Sequence, residues 1–271
     1  MTLMFDNISL KSSLLPCLEE AKILSYHRTR LGGQIFHVLL VSQKEAFVKI
    51  GKSYEKYEII EEYKNLSLLQ GSLPVPEVYD YITTDSQAMI VLEKMPGFPL
   101  NSMISLLGRN HSLSIIKDIL DALKSVPNSV KNNFEIASKQ ELKNIKSLID
   151  NNLINKDNFM KGSRDLDPVA AFNKIQNDLN NHNTQVLTHG DLCLPNILVT
   201  IGKWSLIDWG KGGNGDSARD LSALEGSLKR NIDEQAFPQV CEMMNIEMNI
   251  TLSQKLEIYK LMDLFWYNKS L

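Results

Sequence analysis

The chain is poor in cysteine, and the few cysteines it has suit neither a disulfide framework nor a metal site. Cys17, Cys193 and Cys241 are the three cysteines among 271 residues. They lie far apart and show neither a C-x-x-C pair nor a Cys/His ligand spacing. This excludes a small disulfide-stabilised secreted domain. We therefore expect a protein of a reducing compartment, the cytoplasm.

Long apolar runs are also missing. No stretch approaches the roughly 20 apolar residues that a membrane-spanning helix needs. The first residues include Asp6 and Lys11 and lack the basic start and unbroken apolar centre of a signal peptide. We expect neither a membrane span nor an export signal.

The sequence has no surplus of positive charge. Its formal net charge is -3, with 43% apolar and 23% charged residues. That balance is typical of a soluble globular protein, and it favours neither a nucleic-acid partner nor an anionic membrane surface. The length predicts one large domain or two closely packed lobes.

Residue patterns divide the chain into a strand-rich first third and a mainly helical remainder. Alternating apolar residues predict strands at 26–31, 35–41, 46–50, 78–83 and 89–95, with one helix at 54–70. A Pro-Gly-Phe-Pro stretch at 96–99 is the predicted linker between lobes. Helices are predicted at 102–124, 139–151, 168–180, 217–230 and 252–267. Short strands are predicted at 197–199 and 204–207, and an Asn-rich loop at 151–158.

One segment carries a strong chemical signal. It reads His189-Gly-Asp191-Leu-Cys-Leu-Pro-Asn196, and after an apolar strand Asp208-Trp-Gly follows. The spacing matches the H-x-D-L-x-x-x-N loop and D-x-G turn of phosphoryl-transfer enzymes. There, Asp191 would accept the proton of an alcohol, and the oxygens of Asn196 and Asp208 would hold Mg²⁺ across nucleotide phosphates. The alternative is a purely structural role, in which the Asp and Asn side chains stabilise a capped turn. For His189 we expect a role in orienting the loop.

The segment resembles the catalytic loop of the aminoglycoside phosphotransferases, in particular the 3'- and 3''-phosphotransferases. The likeness extends to Ala46-Phe-Val-Lys49, Leu73-Pro-Val-Pro-Glu-Val78, Pro96-Gly97 and residues 258–263. The resemblance implies an α+β, protein-kinase-like bilobal fold. Its small antiparallel N-terminal lobe, with one helix, would span residues 1–95. Its larger, mostly helical C-terminal lobe would span residues 96–271.

The same resemblance implies a nucleotide site in the first lobe, with Mg²⁺ and ATP, or GTP, as cofactors. Lys49 would neutralise the phosphates and would be held by a carboxylate of the following helix, Glu62, with Glu61 as the alternative. The turn at Gly32-Gly33 lies where the phosphate-covering hairpin belongs. Further nucleotide contacts are expected from Gly33, Phe47, Glu93 and Met95.

The acceptor site is less well marked. A polycationic acceptor needs acidic walls, and the resemblance points to Asp263, with Asp165 and Glu225 as weaker candidates. Lys161 and Arg230 stand where the family carries acids, so they are expected to repel such an acceptor. Asp220 is expected to support the catalytic loop.

These features predict a kinase that phosphorylates a hydroxyl group of an aminoglycoside at the 3' or 3'' position. One alternative is a metabolite kinase for choline, homoserine, methylthioribose or a macrolide. Another is a pseudokinase that binds nucleotide as a scaffold, but such a protein has no need of Asp191. We expect a small cationic molecule as the partner, and a monomer or weak homodimer.

Overall fold

The computed structural model describes residues 15–29, 32–154, 165–180 and 186–266. Its strands are β1 (Lys22–Arg28), β2 (Gln34–Leu39), β3 (Glu45–Lys52), β4 (Val78–Thr83), β5 (Gln87–Glu93), β6 (Phe98–Pro99), β7 (Val186–Thr188), β8 (Ile197–Thr200), β9 (Lys203–Leu206) and β10 (Gly213–Gly215). Its α-helices are α1 (Ser53–Leu69), α2 (Leu100–Leu107), α3 (Arg109–Ser125), α4 (Asn128–Lys131), α5 (Ala137–Asp150), α6 (Pro168–Asn180), α7 (Ala218–Asn231), α8 (Ala236–Met243) and α9 (Ile250–Trp266).

The first five strands form an antiparallel sheet in the order β1-β2-β3-β5-β4. Side chains alternate along β3, so Val48 faces the outer side, where it joins a core cluster with Leu15 and Leu18. Phe47 and Lys49 face the opposite side, on which α1 packs. Thus the strand that carries Lys49 turns it towards the helix that carries Glu62.

A second, larger core joins α1 to the C-terminal part of the chain. Leu66 and Leu69 of α1 are fully buried in the same cluster as Ile90 of β5 and Leu224 of α7. The helix ends before Gly71, which has φ +76 and supplies the left-handed residue that ends many helices. Because the core is continuous, α1 is fixed relative to the residues that follow β7.

Two small sheets hold the segment with the strongest sequence signal. β7 pairs with β10, and β8 lies between β6 and β9. The loop from His189 to Asn196 leaves β7 and ends in a 3-10 turn, Leu194–Asn196, directly before β8. α7 packs against α9 and also contacts this 3-10 turn.

The α+β class predicted from the sequence is confirmed, with local differences. The single helix predicted at 102–124 is two helices, because Gly108 has φ +80 and interrupts it. β1 starts earlier than predicted, and α4 and α8 were not predicted. Part of the predicted loop at 151–158 lies outside the described residues. Within the described part of the chain, none of the helices has the length and apolar character needed to cross a membrane.

Candidate active site

The loop after β7 is held by one buried carboxylate. Asp220, in the first turn of α7, accepts hydrogen bonds from the backbone N–H groups of His189 at 2.8 Å and Gly190 at 2.7 Å. Burial raises the pKa of Asp220, against the opposing effect of the nearby His189 and these two donors. The carboxylate thereby fixes the backbone immediately before Asp191, the supporting contact predicted for Asp220.

The ring of His189 is engaged on both nitrogens. Its Nε2 lies 2.9 Å from the carbonyl oxygen of Ile207, which can only accept, so Nε2 carries the proton. The Nδ1 atom then accepts the N–H of Asp191 at 3.3 Å. The ring also contacts Trp209, with 4.6 Å between centroids. These bonds tie the loop to the segment before Asp208, as expected for an orienting histidine.

Glycine is required at position 190 by two features. Its φ is +82, and a Cβ there would overlap the backbone carbonyl oxygen of Lys211. Its own carbonyl accepts a hydrogen bond from Nε of Arg219 at 3.2 Å. Arg219 is buried and pairs with the buried Glu141 of α5 at 2.8 Å. The loop is therefore braced from α5 as well as from α7.

Asp191 faces a cation that the sequence analysis did not single out. The Nζ atom of Lys211 lies 3.8 Å from its Oδ2 atom. Burial disfavours the charge on Lys211, yet Asp191, Glu58, Asp263 and Glu141 together outweigh burial and raise the pKa of Lys211. Lys211 therefore stays protonated beside the predicted catalytic base.

The two predicted magnesium ligands are brought together by neighbouring strands. The N–H of Ile207 donates to the backbone carbonyl of Asn196 at 3.1 Å. The side-chain NH₂ of Asn196 donates to the carbonyl of Asp191 at 2.9 Å, which leaves its amide oxygen as an acceptor. Asp208 has φ +70, an uncommon backbone state for aspartate, and its carboxylate is exposed.

This donor set fits a magnesium ion. One amide oxygen and one carboxylate are ligands that Mg²⁺ takes when phosphates and water complete its shell. Within the residues the structure describes, His, Cys, Asp and Glu side chains form no cluster of three or more that could hold a metal by themselves.

Lys49 connects Glu62 of α1 to Asp208, one of the two predicted magnesium ligands. Its Nζ atom lies 2.8 Å and 2.9 Å from the two carboxylate oxygens of Glu62 and 2.9 Å from Oδ1 of Asp208. Burial opposes its charge, but Asp208 and Glu62 raise the pKa of Lys49, and Lys49 in turn lowers the pKa of Asp208. Glu61, the alternative partner, instead pairs with Lys64 at 2.8 Å. The predicted Lys49–Glu62 pair is present.

Three of the four remaining predicted nucleotide residues have protein partners of their own. Phe47 stacks on His37, with 5.0 Å between ring centroids. Glu93 closes β5, and its carboxylate accepts the N–H of Glu77 at 3.2 Å; Met95 follows two residues later. Gly33 lies against the carboxylate of Glu55. Nucleotide contacts of Gly33, Phe47, Glu93 and Met95 stay predictions.

Comparison with known proteins assigns the chain to a family. A model of the phosphotransferase enzyme family matches residues 28–239. The chain belongs to this family. The aminoglycoside 3'-phosphotransferase of Niallia circulans is 23% identical over 209 residues, which are 76% of this chain and 78% of that protein. That of Escherichia coli is 25% identical over 241 residues, 82% of each chain.

Solved structures show the fold of this phosphotransferase. The aminoglycoside 3'-phosphotransferase of type VIII matches with a TM-score of 0.73 at 18% identity, over 91% of this chain and 93% of that chain. APH(3'')-Id of Streptomyces rimosus gives 0.70 at 17% identity, over 91% and 92%. Its complex with ADP and streptomycin gives 0.68. The predicted protein-kinase-like bilobal fold and the family resemblance are both confirmed.

The acceptor candidates of this phosphotransferase differ in their surroundings. Asp263 of α9 keeps contact with solvent, but the protein around it removes much of its hydration. This burial, reinforced by Glu141 and Asp191 and opposed by Lys211, raises the pKa of Asp263 to about 6. Glu225 already pairs with Lys260 at 3.0 Å. Asp165 is exposed before α6.

The two cations expected to repel an acceptor are Lys161 and Arg230. Arg230 is exposed at the end of α7, and Lys161 lies outside the described residues. The family match ends at residue 239 and therefore does not include Asp263. All acceptor assignments stay predictions.

Several residues of this phosphotransferase site were missed by sequence reasoning. Lys211 follows the D-x-G turn directly, and that position was the available signal. Asn65, one turn after Glu62 on α1, donates to the carbonyls of Trp209 at 2.8 Å and Gly212 at 3.0 Å. The other missed residues are polar and occupy buried helix positions: Asn65, Arg219 and Glu141. Local residue patterns do not predict which groups such residues contact.

Proposed function

We propose that this phosphotransferase transfers the γ-phosphate of ATP or GTP to a hydroxyl group of a cationic aminoglycoside, at the 3' or 3'' position. The observation that carries the proposal is the convergence of three groups: the carboxylate of Asp191, the oxygens of Asn196 and Asp208, and the Lys49–Glu62 ion pair. The relatives from Niallia circulans and Escherichia coli, both named aminoglycoside 3'-phosphotransferases, support the acceptor class.

On the nucleotide side, Lys49 binds the phosphates while Glu62 holds its ammonium group in place. The backbone of Glu93 and Met95 and the ring of Phe47 receive the base. Asn196 and Asp208 would hold Mg²⁺, which neutralises charge on the phosphates when bound. The Streptomyces rimosus relative, whose fold this chain shares, forms a complex with ADP and streptomycin, which supports a nucleotide here.

On the acceptor side, Asp191 takes the proton of the attacking hydroxyl group. The hydroxyl oxygen forms a bond to the γ-phosphorus as the bond from that phosphorus to the β–γ bridging oxygen breaks, and the nucleoside diphosphate leaves. Lys211, beside Asp191, balances negative charge that develops on the transferred group. His189 and Asp220 keep the loop in position throughout.

A polycationic acceptor is inferred because the carboxylate of Asp263 interacts electrostatically with the proposed base. Asp263 contributes the carboxylate from α9, and its charge attracts ammonium groups of the acceptor. In this proposal, residues 1–95 bind the nucleotide, and residues 96–271 supply catalysis and the acceptor site. Asp165 and Glu225 are secondary contributors.

The test is a phosphorylation assay with purified protein, Mg²⁺ and either ATP or GTP. The acceptor panel contains kanamycin-type aminoglycosides, streptomycin, a macrolide, choline, homoserine and methylthioribose. We expect a mass gain of one phosphate on an aminoglycoside, with its position read by NMR. Phosphate on a neutral or small acceptor alone would replace the acceptor assignment with that of a metabolite kinase. Nucleotide binding without phosphorylation of any acceptor would point to the scaffold alternative.

A further inference from the structure

The turn between β1 and β2 is occupied by a carboxylate from α1. Glu55, in the first turn of that helix, is buried and accepts the hydroxyl of Thr29, and its carboxyl group lies against Gly33, whose N–H favours the ionised carboxylate. A Cβ at Gly33 would fall on the Glu55 carboxyl group. Because Gly33 has no side chain, the carboxylate of Glu55 can occupy this space.

A backbone N–H at a tight turn is a donor that also suits a phosphate oxygen. In the protein-kinase-like arrangement, the turn between the first two strands covers the nucleotide phosphates. The carboxylate of Glu55 is itself an anion, and it therefore occupies the N–H of Gly33 that a bound phosphate would use. Burial raises the pKa of Glu55, against the effect of both donors, so its ionised form is costly in this position.

The position of Glu55 along α1 places it on the phosphate side. Glu62 follows seven residues later, which is two helical turns, so both carboxylates lie on the same face of the helix. Glu62 binds Lys49 at 2.8 Å. Glu62 thus lies next to the proposed phosphate position at Lys49. Glu55 lies on the same side of α1, two turns nearer its N-terminus.

We propose that Glu55 sets the affinity for the nucleotide by competing with its phosphates for the N–H of Gly33. The inference rests on the proposed kinase function. In the nucleotide-free protein, Glu55 contacts Thr29 and Gly33. When a di- or triphosphate binds, Gly33 exchanges the carboxylate for a phosphate oxygen, and Glu55 remains nearby as a like charge that weakens binding.

The experiment compares wild-type protein with Glu55→Gln by calorimetric titration of Mg·ADP, Mg·AMP-PNP and adenosine. The amide keeps the size of the side chain but removes the charge. We expect roughly tenfold tighter binding of both phosphate-bearing ligands and unchanged binding of adenosine, because only phosphates experience the repulsion. Glu61→Gln is the matched control. It removes one charge from the same helix at a residue that pairs with Lys64, and it should leave all three affinities unchanged.

Thr29→Val provides a second variant that leaves α1 intact. It removes the hydroxyl donor that holds Glu55 and should tighten Mg·ADP binding by a few fold, so it carries the test if Glu55→Gln does not fold. Weaker binding of adenosine and ADP alike in Glu55→Gln would show a purely supporting role and overturn the inference, as would unchanged ADP affinity in both variants. If the wild-type protein binds no nucleotide, the proposed function fails and this inference fails with it.

Discussion

The ammonium group of Lys211 lies 3.8 Å from the carboxylate of Asp191, and three further carboxylates, those of Glu58, Asp263 and Glu141, contribute to its electrostatic surroundings. We expect Lys211→Met to lower kcat by about ten- to a hundredfold, because a preorganised positive charge next to the transferred group is lost. KM for a cationic acceptor should not rise, since the variant removes a repelling charge. Steady-state kinetics measure both. Lys203→Met, at an exposed lysine of β9, is the control, and an unaltered kcat in Lys211→Met would exclude the proposed role.

Asp191→Asn should abolish turnover while nucleotide binding persists. The amide retains the shape of the side chain but cannot accept the proton of the hydroxyl group, and the loss of a general base typically lowers the rate by about a hundred- to ten-thousandfold. Single-turnover rates and nucleotide titration measure the two properties separately. A folded variant with near-normal kcat would show that Asp191 is not the base.

Asp208→Ala should remove the Mg²⁺ dependence of nucleotide affinity. The carboxylate is the stronger of the two proposed magnesium ligands, so Asn196→Ala should have a smaller effect. Lys49 keeps its contact with Glu62 in the Asp208 variant, so the lysine stays in place. Nucleotide titrations with and without Mg²⁺ provide the measurement. The ligand assignment is wrong if the variant responds to Mg²⁺ as the wild-type protein does.

Asp263 should make acceptor affinity depend on pH. Its pKa is raised to about 6, so its carboxylate is ionised above that pH and protonated below it. KM for a polycationic acceptor should therefore increase as the pH falls through about 6, and added salt should increase it at pH 7.5 because exposed charges are screened over about 8 Å. Lys211, Arg219, Glu141 and Asp191 also face this residue, so the pH profile must be compared between variants.

Asp263→Asn is that comparison. It should show a higher acceptor KM at neutral pH and a flat profile between pH 5 and pH 7, with the nucleotide KM unchanged. A profile that keeps its slope in Asp263→Asn would assign the titration to another group. Equal acceptor KM values in variant and wild type at neutral pH would remove Asp263 from the acceptor site.

Gly190→Ala should destabilise the protein and stop catalysis together. Gly190 has φ +82, and a methyl group there would overlap the carbonyl of Lys211, so we expect a loss of about 2–4 kcal/mol in the free energy of unfolding. Gly202→Ala is the matched control, because Gly202 has φ +67 but nothing lies within 4 Å of its Cβ position. That variant should lose only about 1 kcal/mol. Urea denaturation would measure both, and equal losses would exclude the steric contribution of Lys211.

The local parts of the site were predictable because their spacing is set within one turn or one hairpin. His189, Asp191 and Asn196 lie in a single loop, and Asp208 follows the next hairpin, so their proximity needs only that local structure forms. The β2–β3 hairpin and most helices follow from residue periodicity in the same way. The helix predicted at 102–124 was wrong at Gly108, because apolar periodicity continues across a break made by one left-handed glycine.

The sequence by itself determined the chemistry that is proposed for this protein, since the residue types and their short-range spacing indicate which groups could transfer a phosphate. Only the tertiary structure decided which distant groups meet them. Arg219 of α7 meets Gly190 and Glu141 of α5, and Glu55 of α1 meets Gly33. These pairs depend on how α1, α5 and α7 pack around one continuous core. Packing is a property of the whole chain, so a local pattern of charged residues specifies which partners are possible but not which of them come into contact.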